Sequence, residues 1–472
     1  MNMKYLLLLG IFFFALSGFI FHNINSSKNS VAQESFELLK IFGNNGDLLE
    51  GSYSVQSAST LDNQGTQSRR RIHQGGFGTE SQCGLNGEII KVTNLNDSGL
   101  GSLRAAVEAT GPRTIVFEVS GAIRLQSALK VLSPFVTIAG HTAPIPGISL
   151  YHAQFRIETH DVCVQHLRIR LGDQKADLTL VSSEEAQNGD AIVVRGGRDP
   201  AGTYKVVLDN LSVSWSIDEA ISVSDGVENL TIRDSIIGEP LLYNAHGRNH
   251  AYCLFIKDQA KRVSLVGNIF TQCQRRSPRM NGGTLQYVNN LVYNPGEYAI
   301  HAHDDEIDVT MIGNVLEFPS DSSNRWEGGN GPSEFFTSRT SSAKVFSMEN
   351  RTELERPILG NYSDDNPVNE QSRPFVWHGN VLALTPEAMR SSITDGAGAF
   401  PRHRDSVDSR LIADINNKRG TYTDSQSDVG GYPYVEENYR ALDIPINPQS
   451  DDNNNGISNL AEWLKGFLNA IE

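Results

Sequence analysis

The chain has 472 residues, with 40 Lys and Arg against 55 Asp and Glu, a net charge of −15. Hydrophobic residues are 39%, enough to bury a core, which excludes wholesale disorder. The acidic balance excludes a general nucleic-acid binder, since cationic contacts to phosphate supply most of that affinity.

The N-terminus reads as an export signal, residues 1–24. Lys4 is followed by the uncharged run YLLLLGIFFFALSGFIF. An uncleaved single-span anchor is the alternative, although the run is short for crossing a bilayer. Export to the periplasm or the medium is expected. Residues 25–75 are polar and rich in Ser, Asn and Gln, and read as a weakly ordered lead-in.

Strand-like segments begin with EIIKVTN (88–94), RTIVFEV (113–119) and VTIAGH (136–141). Between the first two, SLRAAVEA (102–109) is helical and suits a cap on an open core. One pattern then recurs: VCVQHLRI (from 162), VVLDNLSV (206), LTIRDSII (230), VSLVGNIF (263), LQYVNNLV (285) and VTMIGNVL (309). The starts give a base period of 22 to 24 residues, longer where a loop is inserted. Period-2 strands repeating at that length define a solenoid. The sixth position is Asn in three coils (Asn268, Asn290, Asn314) and Ser235 one coil earlier. Asn side chains stacked at the strand spacing of about 4.8 Å can hydrogen-bond along the stack. The predicted fold is all-β: a right-handed parallel β-helix with an N-terminal capping helix and a C-terminal extension. The β-helix domain is placed at 76–390, the extension packing on it at 391–440. The repeat is expected to fade after about residue 320.

Four cysteines occur, Cys83, Cys163, Cys253 and Cys273, with no CxxC pair of the zinc or thioredoxin kind. Cys163 lies in an apolar run and reads as inert; one or two disulfides are left open.

Three motifs carry chemistry. QRRSPRMNGG (274–283) packs three arginines into five residues on an acidic chain, which suits carboxylate or phosphate recognition. NGDAIVV (188–194) and SWSIDEAISV (214–223) place Asp190, Asp218 and Glu219 beside strands, on rungs neighbouring those arginines. Residues 441–472 hold Asp451-x-Asn453-x-Asn455-Gly456-x5-Glu462, followed by an amphipathic helix. That spacing matches an EF-hand-like calcium loop, with Glu462 able to supply two oxygens.

With these motifs, VTNLNDSGLGSLRAAVEATGPRTIVFEVSG and FPRHRDSVDSR resemble secreted bacterial pectate lyases of polysaccharide lyase family 1, from about Gly75 to Val429. The resemblance implies a monomeric enzyme that cleaves polygalacturonate by Ca2+-dependent β-elimination, leaving 4,5-unsaturated ends. By motif, Asp190 and Asp218 match the calcium aspartates and Arg276 matches the catalytic base. Two positions depart from the family. The second aspartate of the SWSIDEAIS motif is Ser222, for which Glu219 or Asn188 could compensate. The arginine before Gly-Gly is Asn281. Substrate-binding candidates are Arg279, Asn281, Arg248 and His250. A galacturonan hydrolase on the same fold is one alternative, which needs two carboxylates flanking one bond. Asp218 and Glu219, adjacent on a strand, would point to opposite faces and disfavour that pair. A non-catalytic polysaccharide-binding β-helix is the other.

Overall fold

The computed structural model describes residues 75–173, 189–244, 249–325, 331–340, 342–361 and 368–471. The expected export signal and lead-in lie outside these, as do Asn188 and Arg248. No described helix is long and apolar enough to cross a membrane.

The described residues form a right-handed parallel β-helix whose coils have three faces. The first runs from Glu88–Val92 through Tyr204–Asp209 to Asn369–Glu370. The second runs from Gly121–Arg124 through Ser212–Ser214 to Arg351–Thr352. The third runs from Leu129–Val131 through Glu219–Ser224 to Leu359–Asn361. Paired strands are parallel, each stacked on the same strand of the coil before, as in Leu230↔Val263 and Leu285↔Val309.

The period-2 pattern explains the core. Val206, Leu230, Val263, Leu285 and Val309 are register partners, and all are fully buried. Each such side chain contributes about 1.5–3 kcal/mol relative to exposure. The polar sixth position turns the chain from the first face to the second. There Asn268 Nδ2 donates to Asn290 Oδ1 (3.0 Å), and Asn290 Nδ2 to Asn314 Oδ1 (3.1 Å). Asn314 continues to Asn350 Oδ1 at 2.8 Å. Asn350 belongs to a further coil, Ala343–Met348 and Arg351–Thr352. The repeat therefore does not fade near 320. Inserts on either side obscure it, while strand pairing persists to Glu370.

The third face passes into the first through the long strands Arg279–Val288 and Ile300–Ile312. The register shifts between Asn281 and Gly283. Gly283 has φ +100°, and a Cβ there would lie 2.0 Å from the Ala260 carbonyl oxygen, so only glycine fits this corner.

Helix α1 (Leu103–Glu108) buries Leu103, Ala106 and Val107 in the main core, and the Ser102 hydroxyl caps it. Helices α2 (Pro386–Gly396) and α3 (Ser406–Asn416) bury Met389, Ile393, Val407, Leu411 and Ile415 in the same core cluster. Ion pairs fix them on the second face: Arg170 with Asp405 and Asp408, Arg410 with Glu239, and Arg390 with Glu317. Helix α4 (Asn459–Ile471) packs Leu460 and Leu464 against Val116 and Ala139. Val381 and Ala383 cover Val266, Val288 and Ile312 further along the first face. Both of these faces thus carry an outer layer, and the third presents its polar side chains outward.

Both disulfides form, Cys83–Cys163 and Cys253–Cys273. Cys163 is therefore not the inert residue expected from its apolar surroundings. The first face points it outward toward the N-terminal segment, where Cys83 meets it.

Candidate active site on the third face

Asp190 lies at the turn entering Ile192–Arg195, and Asp218 just before Glu219–Ser224. The backbone ties the two turns together. Ile217 N–H and Asp218 N–H both donate to the Gly189 carbonyl (3.0 Å each), and Glu219 N–H donates to Asp190 Oδ1 (3.0 Å). One carboxylate oxygen each from Asp190, Asp218 and Glu219 lies within 4.8 Å of the others. Asp218 and Glu219 therefore do not point apart. Side-chain alternation holds only inside a strand, and Asp218 precedes the first strand residue.

Burial and then the neighbouring charge of Asp218 push the Asp190 carboxyl above the usual carboxylate range; Ser222, Lys257 and Arg276 oppose them. Ser222, which stands where the family pattern has a second aspartate, hydrogen-bonds Asp190 through its side chain. Three crowded carboxylates are a hard-oxygen donor set of the kind Ca2+ takes, and a divalent charge would relieve their repulsion. The residues present fit the ion.

Arg276 approaches from two coils beyond Glu219, past the Tyr252–Ile256 strand. Its backbone sits at φ +69°, and its carbonyl accepts from Leu254 N–H at 2.6 Å. The guanidinium lies 4.0 Å from the Tyr252 ring centroid and 4.7 Å from that of Phe255, and it pairs with Glu219. Burial pushes it down to about 10, with Asp218 and Asp190 opposing and Arg279 assisting. Arg279 lies 5.0 Å over Phe255, and its Nε donates to Asn281 Oδ1 (2.9 Å). Asn281 Nδ2 in turn donates to Asp304 Oδ2 (2.8 Å). His250 Nε2 lies 2.8 Å from Asp218 Oδ1, and its ring is 4.2 Å from Tyr252.

The site thus brings together Asp190, Asp218, Glu219, Arg276, Arg279, Asn281 and His250. Asp451, Asn453, Asn455 and Glu462 belong elsewhere, to the loop leading into α4. There Gly456 N–H donates to Asp451 Oδ2 (2.7 Å), and Asn453 and Asn455 amides reach Glu462 at 3.0 and 2.6 Å. Sequence reading missed Tyr252, Phe255 and Lys257. The strand Tyr252–Ile256 pairs with Glu219–Ser224, and that register is the signal that would have found them.

No protein-family model matches the chain. Its fold is shared with the cedar pollen allergen jun a 1, at a TM-score of 0.50 and 17% identity, over 69% of this chain and 92% of that one. Such a fold, bearing a carboxylate cluster against a desolvated arginine, defines the class: a β-helix protein with an acid–arginine centre. The probable pectate lyase C of Aspergillus flavus is 32% identical over 388 residues, 80% of this chain and 84% of that protein. Pectate lyase 5 of Ambrosia artemisiifolia is 27% identical over 241 residues, 48% of this chain and 57% of that protein. The chain belongs to the pectate lyase family. These relatives are fungal and plant proteins, so they do not support the bacterial affinity suggested by the motifs.

Proposed function

We propose that this protein is a secreted polysaccharide lyase of family 1 type that cleaves polygalacturonate by calcium-dependent β-elimination. The observation that carries the proposal is the pairing of Glu219, within the carboxylate cluster, with the buried guanidinium of Arg276. Asp190, Asp218 and Glu219 would hold Ca2+. When bound, the ion supplies positive charge to a uronate carboxylate, which acidifies the C5 proton.

Arg276 is the catalytic residue in this reading. An arginine in water is a poor base because it stays protonated. Desolvation, which lowers its affinity for a proton, favours a role in which it accepts the C5 proton or stabilises the carbanion as charge develops. The electron pair left at C5 forms the C4–C5 double bond, and the C4–O bond breaks toward the departing sugar. Arg279 and Asn281 would grip substrate carboxylate and hydroxyl groups. His250 orients Asp218 rather than reaching outward. In the C-terminal loop, Asp451, Asn453, Asn455 and Glu462 would hold a second, structural Ca2+.

The arrangement argues against an inverting hydrolase. An inverting acid–base pair must stand about 6.5–9.5 Å apart to admit water. These oxygens converge more closely and are paired with an arginine.

The test is ultraviolet absorbance of unsaturated uronate during incubation with polygalacturonate, with calcium and with chelator. A calcium-dependent rise is expected. New reducing ends without absorbance would establish a hydrolase, and neither signal would leave a binding protein.

A further inference from the structure

The segment that carries Arg276 is irregular where the strands around it are regular. Tyr252 bridges to Arg275, and Phe255 pairs with Arg279. Cys253 and Leu254 on one strand therefore face Arg276, Ser277 and Pro278 on the next. The extra residue makes a bulge, a feature that re-aims side chains beside active sites. Arg276 takes up the irregularity at φ +69°, a left-handed conformation that a residue with a Cβ adopts at a cost. Such a conformation persists only where its surroundings fix it.

The restraints come from the strand Tyr252–Ile256. The Leu254 N–H donates to the Arg276 carbonyl at 2.6 Å, and the Cys253 N–H to that of Arg275 at 3.3 Å. Cys253 is bonded to Cys273, just upstream of Arg276, and both lie buried in the main core cluster. The bridge thus ties the chain entering the bulge to the strand beside it. On the outer side, the guanidinium lies over the Tyr252 and Phe255 rings. The ion pair with Glu219 is a further restraint. On the proposed reading Glu219 is also drawn to Ca2+, which loosens that pair and leaves the rings and the bridge to hold the arginine.

We infer that the Cys253–Cys273 disulfide and the Tyr252 ring are positioning elements for Arg276. The bridge fixes the bulge from inside the solenoid, and the ring fixes the guanidinium from outside. This rests on the uronan-cleaving reading above, in which Arg276 acts at the C5 proton. The other disulfide, Cys83–Cys163, supplies the contrast. It stands on the first face, where Cys163 pairs with Thr137 and Val207, and its cysteines are 80 residues apart in sequence against 20. Closing the longer loop favours global stability.

The experiment compares two double variants on polygalacturonate at saturating calcium: Cys253→Ala with Cys273→Ala, and Cys83→Ala with Cys163→Ala. The first should lower kcat about tenfold with KM unchanged, less than the roughly hundredfold that a misplacement of about 1 Å can cost. The second should lower Tm and leave kcat within about twofold. Equal kcat in the two variants overturns the inference. Tyr252→Leu should lower kcat as the first variant does, and Tyr252→Phe, which keeps the ring, should recover most of the loss. An unchanged kcat in Tyr252→Leu likewise overturns it, and this pair decides alone should the first double variant not fold. Hydrogen exchange, read by mass spectrometry in a peptide holding Leu254, gives an answer independent of activity. That amide should exchange about tenfold faster without the Cys253–Cys273 bridge, since the bulge it bonds to is released. If the unmutated protein cuts no uronan, the lyase reading fails instead, and unchanged exchange at Leu254 then overturns the positioning on its own.

Discussion

Two buried clusters of arginine and carboxylate, one under helix α3 and one on the open third face, have opposite electrostatic results. Under α3, Arg168 and Arg170 alternate with Asp405 and Asp408. Arg170 reaches Asp405 at 2.9 Å and Asp408 at 2.8 Å, and Ser212 Oγ donates to Asp408 at 2.6 Å. Burial disfavours each charge there, but the opposite charges prevail: Arg170 is raised and Asp405 lowered. On the third face burial prevails instead: it raises Asp190, helped by the Asp218 charge, and lowers Arg276, although Asp218 and Asp190 oppose that second shift. The same residue types make a clamp where partners are complete. On the proposed reading they make a reactive centre where a ligand completes them.

The comparison breaks most visibly at Arg276. Arg276→Ala should lower kcat on polygalacturonate by about a hundredfold to a thousandfold, the scale of removing a group that acts on developing charge. Its far-ultraviolet circular dichroism should stay native. An equal loss from Arg168→Ala without unfolding would erase the distinction between the two clusters.

Next are the aspartates, for which opposite signs are expected. Asp408 is fully buried, and Asp408→Asn leaves Arg170 with Asp405 as its remaining carboxylate, so unfolding in urea should show a loss of about 1–3 kcal/mol. Asp190→Asn removes a repulsion. In chelator its Tm should hold or rise. The Tm increment produced by calcium should shrink by at least half, because binding to the native state is what raises it.

The pH response sharpens the clamp alone. Burial by itself would raise Asp405, but Arg170, Arg168 and the Asp408 N–H, which donates at 2.9 Å, hold it below the ordinary value of 3.8. A carboxyl depressed in the native state stabilises fully above its unfolded pKa. That contribution is lost as pH falls through the native pKa. Urea stability should therefore drop on acidification below about pH 4, and Asp405→Asn should flatten that part of the profile.

The solenoid was legible because it is local and periodic: apolar alternation and the Asn268, Asn290 and Asn314 column survive in any single coil. The acid–arginine motifs were legible because each is contiguous. What stayed hidden depends on register. Tyr252 and Phe255 reach the site only because parallel pairing stacks Tyr252 on Glu219 and Phe255 on Ser222. The opposition expected between Asp218 and Glu219 failed because strand alternation was extended one residue past the strand. Asn350 was missed because inserts stretch the spacing around its coil.

The smallest expected effect concerns the C-terminal loop, for which calcium is proposed too but which belongs to neither side of the comparison. Asp451 and Glu462 are its carboxylates at the ligand positions, with Asp452 beside them, and Asn453 and Asn455 already bond to Glu462. With only two carboxylates at the ligand positions, affinity should be modest, since ligand charge sets much of the strength of such sites. The loop leads into α4, whose Leu460 and Leu464 cover Val116 and Ala139 at the N-terminal coils. Calcium there would fasten that cover without touching Arg276. Glu462→Gln should therefore leave kcat within about twofold, the scale of a surface change remote from the reacting groups. It should remove only the part of the calcium-induced Tm rise that persists in Asp190→Asn. If Asp190→Asn alone abolishes the whole rise, the loop holds no calcium and α4 is fastened by its apolar face.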